Sequence, residues 1–474
     1  MTIRVFSIAS AVGLLLAGCT VGPDYQRPPL DVPAAYRGAP AAVPAQTATE
    51  LGNVEWATIF TDPELQQLIR AALVANYDVQ VAATRILQAQ AQLTSTASFQ
   101  WPTINGQADA GYTGYVGNNR PPSVNAQTFV PEGGVNVAWE IDFWGKFRRA
   151  TQGAQAQLLA SQDARDGVII SLIAQVAQSY FDLRTLDLDL EIARRTLASR
   201  QESLDLVKAR FEGGVAGILD VQQAENLYYT AAKAIPDTER QIAQTENLIN
   251  YLLGRPPASV PRGRPLTQQL ALTPVPVGIP SELLARRPDV RQAEQQLVAA
   301  NAQIGVAKAF LFPAVTLTGF AGAGGIMLNG QMFGPLGIFS VLPTITLPIF
   351  NAGRLDANVD FAQAQTEEAV VRYRQTIQQA LREVADGIVE VQKRREFRVQ
   401  QELLTKVLTE SSETARLRYE GGVSSYLEVL DTDRQLFQAE LDLSLAQRDE
   451  LAGFVNLYKA LGGGWQAAGS PPQG

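Results

Sequence analysis

The sequence predicts a mainly α-helical chain with a small membrane-type β component, built from two copies of one unit, and three observations carry that expectation. The segments 210–221 (RFEGGVAGILDV) and 418–429 (RYEGGVSSYLEV) agree at seven of twelve positions at a fixed separation of 208 residues. Residues 146–211 and 354–419 hold no Pro, so at 1.5 Å per residue each stretch of 66 has the reach of a helix about 100 Å long. Ahead of each lies a segment that alternates apolar and polar residues with period two, as a strand with one wet face requires. The separation of 208 also aligns Gly145-Lys146 with Gly353-Arg354 and Leu253-Gly254 with Leu461-Gly462. Asp78-Val79 with Asp289-Val290, and Pro102 with Pro313, match at 211, so the chain is an internal duplication whose offset changes by three residues.

Taken in order, the first residues read as an address. Arg4 precedes an apolar run, Val5–Ala17, of about 14 residues, too short to span a bilayer but right for a signal-peptide core. Residues 1–18 are expected to be removed, and 19–50, rich in Pro and Ala, to form an extended tether. The first repeat spans 51–254. Asp62-Pro63 is an N-cap followed by Pro at the first helical position, opening a helical stretch to Gln100 with a break near Asn76. A β-hairpin over 102–143 follows: Ile104, Ala108, Ala110 and Tyr112 alternate with polar neighbours. After a loop from about Val116 to Thr128, Val135, Val137, Trp139, Ile141 and Phe143 alternate with Asn136, Ala138, Glu140 and Asp142. The long helix 146–211 stops at Gly213-Gly214, which supplies a left-handed cap, and a return helix runs toward Gly254 with Pro236 expected to kink it. A Pro-rich linker, 255–280, leads to the second repeat, 281–462. There a helix from Ser281 is interrupted before Pro288. A hairpin over 313–350 has strands near 313–323 and 338–350, the long helix covers 354–419, and Ser444 replaces Pro236 in the return helix. Residues 463–474 are expected as a flexible tail.

Composition narrows the function. With no His and one Cys, the chain has no Ser-His-Asp triad, no His-ligated metal and no internal disulfide, so neither a cofactor nor a metal is expected. A net charge of -8, from 39 Lys and Arg against 47 Asp and Glu, argues against a nucleic-acid partner. The hairpins point to membrane. Strands of about 10 alternating residues, with Trp101, Phe143 and Trp144 at one end, fit tilted membrane strands with an interfacial aromatic belt. The same pattern also suits a half-buried antiparallel sheet in a soluble domain; four strands cannot close a barrel and open edges are not tolerated in lipid, so the lipid-facing reading requires several chains to pool their strands in a closed ring.

Leu16-Ala17-Gly18-Cys19 resembles the bacterial lipobox, whose Cys is lipid-modified after cleavage, and Thr20 in place of Asp resembles the outer-membrane sorting pattern. Together with the duplication, the two hairpins, the long helices and the repeated (Phe/Tyr)-Glu-Gly-Gly-Val turn, this resembles the TolC-like outer membrane factor family. The match is to its lipoprotein branch serving resistance-nodulation-division (RND) efflux systems. Val21-Gly22-Pro23-Asp24-Tyr25 and Arg286-Arg287-Pro288-Asp289-Val290 are similar to that branch's motifs. The resemblance implies a homotrimer whose 12-stranded outer-membrane barrel continues as a long periplasmic α-helical barrel. It also implies a periplasmic adaptor protein and an inner-membrane RND-type pump as partners, and no enzymatic activity.

What the resemblance implies for residues is local. Cys19 is the lipidation site. Gly213, Gly214, Val215, Gly421, Gly422 and Val423 form the periplasmic tips that meet the adaptor. Asp220, Leu427, Glu428 and Asp431 match positions that narrow or charge the aperture, and three Asp431 side chains together are expected to attract cations there. Ser424 stands where the family often has a basic residue. A plainer reading of the same residues is available: Ser425 to Glu428 is a capping box and Gly217 to Asp220 repeats it, so both acids would only cap the return helices. Glu140 and Asp142 read as the wet face of a strand, and Leu427 as core. The expected role is an exit duct for small molecules such as drugs. Metal-ion efflux and type I protein secretion are the alternatives, followed by a structural periplasmic coiled-coil lipoprotein; a carboxylate-dependent glycan hydrolase has no paired-acid constellation to support it.

Overall fold

A computed structural model of the chain describes residues 20–30, 32–38, 51–114, 127–269, 280–328 and 331–463. Cys19, most of the loop expected over 116–128 and most of the expected tail lie outside them. In chain order the elements are α1 (Trp56–Ile59), α2 (Pro63–Ala75), α3 (Tyr77–Ser98), β1 (Thr103–Gly114), β2 (Gln127–Ile141), α4 (Lys146–Glu212), α5 (Ile218–Leu252), α6 (Pro280–Arg286), α7 (Pro288–Ala309), β3 (Ala314–Leu328), β4 (Gln331–Thr346), α8 (Arg354–Glu420) and α9 (Tyr426–Ala460). Among the described residues no helix is long and apolar enough to cross a membrane. The chain divides into two compact units.

The first unit takes the chain up to Pro29, Arg85–Gln162 and Gln292–Arg374. It holds one antiparallel sheet in the order β1-β2-β3-β4. β1 and β4 are its edges, and β4 is exposed along its whole length. The second hairpin differs from expectation. Its strands run 314–328 and 331–346 rather than 313–323 and 338–350, and in the first hairpin β2 begins at Gln127, eight residues before the sharp alternation at Val135. The reason is a close approach of backbones across β2 and β3. A Cβ on Gly134 would fall 2.5 Å from the Ala321 carbonyl oxygen and 2.8 Å from the Phe320 ring. Phe320 thus lies over a glycine patch, and residues that read as turn formers in isolation are strand residues because an aromatic ring takes the place of their side chains. Register slips once, between Gly324 and Ile326.

At the foot of this sheet Asp142 leaves the strand and caps α4, accepting from the amides of Phe147 (3.1 Å) and Arg148 (2.9 Å), which replaces its expected role as a wet strand residue. Glu140 pairs with Lys146. Trp144 stacks on Phe312 at 4.7 Å and donates from Nε1 to the Pro313 carbonyl at 2.8 Å. The chain's early residues are fastened beside it. The Val21 amide donates to the Trp144 carbonyl at 3.0 Å, while Arg149 reaches the carbonyls of Val21 and Gly22 (3.3 Å each) and Asp24 (2.7 Å). Arg27 is bidentate on Glu294 at 2.7 Å.

The second unit takes Leu30–Thr84, Asp163–Arg291 and Gln375 onward. Its main core gathers Leu65, Leu68, Ile69, Val176, Tyr180, Leu183, Ile249, Leu253, Leu266 and Val455. Asp62, fully buried, begins α2 by accepting from the Glu64 amide (3.0 Å), and also takes the Tyr180 hydroxyl (2.8 Å), Gln269 Nε2 (2.6 Å) and the Arg264 amide (2.9 Å). Burial pushes its pKa up, but these hydrogen bonds, led by Gln269 and Tyr180, outweigh burial and hold the carboxyl below the ordinary range. Asn76 both ends α2 and starts α3, accepting from the amides of Asp78 (2.8 Å) and Val79 (3.2 Å). The break before Pro288 falls at Arg287, whose guanidinium caps α9 at the Ala460 carbonyl (2.9 Å) and pairs with Asp289 and Glu383. α5 continues through Pro236 as one helix.

Candidate aperture at the helical tips

Both tips close the same way. Gly214 (φ +75°) and Gly422 (φ +73°) take the left-handed conformation that residues with a Cβ avoid. At the first tip the amides of Gly214 and Val215 donate to the carbonyls of Phe211 and Arg210 at 2.9 Å. At the second, those of Gly422 and Val423 donate to Tyr419 and Arg418 at 3.0 Å. These paired bonds satisfy carbonyls that the helix ends would leave unmet. Gly213 and Gly421 make the last bonds to the carbonyl four residues back, to Ala209 and Leu417 at 3.0 Å. Val215, Val423 and Leu427 are exposed, so Leu427 is not core within this chain.

The acids just past the tips differ. Asp220 accepts from the Gly217 amide at 3.0 Å and so caps α5, as the plainer reading expects. Glu428 does not complete a capping box: Ser425 makes no side-chain cap bond, and Glu428 instead lies 3.5 Å from Arg418 on the facing helix. An ion pair across the hairpin competes for the carboxylate that the local sequence assigns to its own backbone. Asp431 is exposed but engaged by Arg434 (3.0 Å) and Gln435 (2.6 Å) of its own helix. Glu410, Arg418, Glu428 and Asp431 line one cleft of about 450 Å³ between α8 and α9. The Ser424 hydroxyl is buried without a hydrogen-bond partner.

Three residues missing from the sequence-based set tie the tips together. Arg210 places its guanidinium 4.2 Å from the Tyr419 ring and donates to the carbonyls of Tyr419 (3.0 Å) and Glu420 (3.1 Å), so a side chain of the first tip caps the helix of the second. Deeper in, Asp433 accepts from Ser412 Oγ (2.6 Å) and pairs with Arg416 (2.9 Å). Arg200, also buried, donates to the Leu227 carbonyl at 2.7 Å and the Asp433 carbonyl at 3.3 Å, with Phe437 4.8 Å below it. Burial pulls the Arg200 pKa down, and burial together with Asp433 pushes the Tyr426 hydroxyl up to about 12. A sequence signal for part of this existed: Lys208 and Glu225 stand 208 residues before Arg416 and Asp433.

A four-stranded sheet whose outer strands are unpaired among the described residues, together with helices of 67 residues that end in paired glycine tips, defines the protomer of an outer-membrane channel with a TolC-like fold. The model of the outer membrane efflux protein family matches residues 68–255 and 279–463, one match for each repeat. The solvent efflux pump outer membrane protein SrpC of Pseudomonas putida is 37% identical over 463 residues, covering 96% of this chain and 97% of the relative. The cation efflux system protein CusC of Escherichia coli O6:H1 is 34% identical over 459 residues, covering 96% and 98%. The open-state structure of the Neisseria gonorrhoeae MtrE outer membrane channel superposes with a TM-score of 0.84 at 30% identity, covering 94% of this chain and 99% of that one. Each relative is named for efflux or a channel, none for a reaction. The chain belongs to the outer membrane efflux protein family, and it is an efflux channel of the outer membrane.

Proposed function

We propose that three copies of this chain form the exit duct of a tripartite RND-type efflux pump, anchored by lipid on Cys19 and passing small toxic molecules to the exterior. The observation that carries the ring is the sheet itself: β1 and β4 leave two bare edges, and bare edges in hydrocarbon cost several kcal/mol per unmet backbone group. Three copies supply the twelve strands that the TolC-like resemblance implies. The anchor is supported by Thr20 to Asp24 being fastened at the foot of β2, one residue beyond Cys19. Gly213, Gly214, Val215, Gly421, Gly422 and Val423 present an apolar turn to the periplasmic adaptor. Asp220, Leu427, Glu428 and Asp431 line the resting constriction, opened as the adaptor parts the hairpins. The duct is passive, and the inner-membrane pump supplies energy and most of the selectivity.

Small organic cargo is supported by the solvent-efflux relatives and by a chain with no His and three Met, which offers a soft metal ion few ligands. Metal efflux is the second reading, favoured by the name of CusC. The test is single-channel conductance of the detergent-purified mature protein in a planar bilayer, beside Glu428→Ala/Asp431→Ala. We expect an oligomer that inserts and conducts weakly, with higher conductance in the variant; a folded oligomer that never conducts restores the structural-lipoprotein reading. Resistance to organic solvents against resistance to metal salts, in a host stripped of its own ducts, then separates the two cargo classes.

A further inference from the structure

The duplication makes the unpaired edges readable. Within the first hairpin, paired residue numbers in β1 and β2 add to 241 throughout, and within the second they add to 660 from Ala314 to Gly324. The difference is 419, the two offsets of 208 and 211 taken together, so β1 maps onto β3 at 211 and β2 onto β4 at 208. Between the repeats, β2 and β3 pair with numbers that add to 456 from Phe129 to Ile141. Among the described residues that junction has no counterpart inside one chain, because no strand follows β4 and β1 has no neighbour before it.

We infer that β4 of one copy pairs with β1 of the next copy in the register that repeats the β2–β3 junction, with residue numbers adding to 453. This rests on the pooled-barrel reading above and deepens it. Carrying β2 forward by 208 and β3 back by 211 turns Val137 opposite Gly319 into Ile345 opposite Ala108, and Asn136 opposite Phe320 into Thr344 opposite Asp109. The two faces agree. In β1 the apolar face is Ile104, Ala108 and Tyr112, and in β4 it is Val341, Ile345 and, beyond the strand, Ile349. The inferred register sets Val341 against Tyr112, Ile345 against Ala108 and Ile349 against Ile104, whereas a slip of one residue either way would turn Ile345 against Gln107 or Asp109 and Ile349 against Thr103 or Asn105. These are the side chains left bare in one chain: Ile104 is 68% exposed, Tyr112 74%, Val341 69%, Ile345 71% and Ile349 90%.

The inference reaches past the strand as it stands. β4 ends at Thr346, but its counterpart β2 is paired up to Ile141, which maps to Ile349. Leu347 to Ile349 therefore join the ladder only when a second copy supplies Ile104 to Gly106, and assembly lengthens β4 by three residues.

Cysteine pairs in the full-length chain, with native Cys19 retained, test the register in isolated outer membranes under mild oxidation. Ile345→Cys with Ala108→Cys and Thr344→Cys with Asp109→Cys are adjacent directly opposed pairs, so one of the two is the narrow type that closes a disulfide readily. Ile345→Cys with Ala110→Cys, or with Gly106→Cys, are two residues off register. We expect covalent multimers on a denaturing gel to be about tenfold more abundant for the better on-register pair than for either displaced pair. Ile349→Cys with Ile104→Cys should also link, which tests the added length independently. Stronger linking by a displaced pair overturns the register and leaves the ring standing. No linking in any pair of a protein that still has a multimer's mass overturns the seam, and a single-chain mass in mild detergent overturns the ring reading as well.

Discussion

The same ion pair occurs twice and is treated in opposite ways. Lys208 and Glu225 in the first repeat, and Arg416 and Asp433 in the second, occupy positions 208 residues apart, and in both a base of the long helix meets an acid of the return helix. In the first, at 3.3 Å, both side chains are wet, 46% and 38% exposed. In the second, at 2.9 Å, Asp433 is 4% exposed and further bonded to Ser412, with Arg200 packed beside it. Duplication copied the pairing, and divergence around it, with Leu204 becoming Ser412 and Leu408 standing where the first repeat has Arg200, decided whether it is buried. Leu204 in the first hairpin instead joins an apolar cluster with Val207, Val221 and Ala224, to which Tyr419, Tyr426 and Val429 of the second also belong.

The largest expected break in this comparison is Asp433→Ala. It leaves Ser412 and Arg416 without their carboxylate and the buried Arg200 without its neighbouring negative charge, and should destabilise the protein by about 3 kcal/mol, whereas Glu225→Ala should cost less than about 1 kcal/mol. Thermal unfolding of the two variants in detergent checks this, and equal losses would erase the distinction. Arg210→Ala comes next. It removes two carbonyl bonds and a ring contact between the tips, at about 1–2 kcal/mol, and should speed protease cleavage at Gly421-Gly422 more than Arg418→Ala does.

A third test uses pH. Asp189 is pushed up to about 6, chiefly by burial, while Ser444 donates to it. The corresponding positions in the other repeat hold Phe397 and Pro236. A carboxyl raised in the folded state favours folding when protonated, so its contribution is full below about pH 4 and is lost as pH rises through 6. Asp189→Asn should therefore stabilise by on the order of 1 kcal/mol at pH 7.5 and change nothing at pH 4, read as the shift in melting temperature at the two values. The smallest effect is expected for Asp220→Ala, about 0.5 kcal/mol for a lost cap at an exposed helix start, measured as faster hydrogen exchange in the first turn of α5.

Local chemistry made much of this legible. Asp62-Pro63, Asn76 and the residue before Pro288 are read from capping and Pro sterics alone, and α4 and α8 end at Glu212 and Glu420, one residue past the stretches that lack Pro. What was not legible depends on partners distant in sequence. Gly133 and Gly134 lie ahead of the alternation that starts at Val135, and only the distant Phe320 shows why the strand includes them. Glu428 satisfies a capping pattern, yet Arg418 of the other helix claims it. Arg200 and Asp433 are separated by 233 residues, and no short motif announces that they meet; the recurrence of base and acid at one offset points only to Arg416 with Asp433.

The strap at Thr20 to Asp24 has a consequence for symmetry. Gly145 receives Thr20 so closely that a Cβ there would sit 2.7 Å from its side chain, while the matching Gly353 has nothing within 4 Å. Each chain contributes two quasi-equivalent junctions between strand and long helix but only one N-terminus. In a ring closed by copies of this chain, tethered and untethered junctions must therefore alternate around the wall. In the ring of three proposed above, that alternation would reduce a sixfold arrangement of repeats to a threefold one.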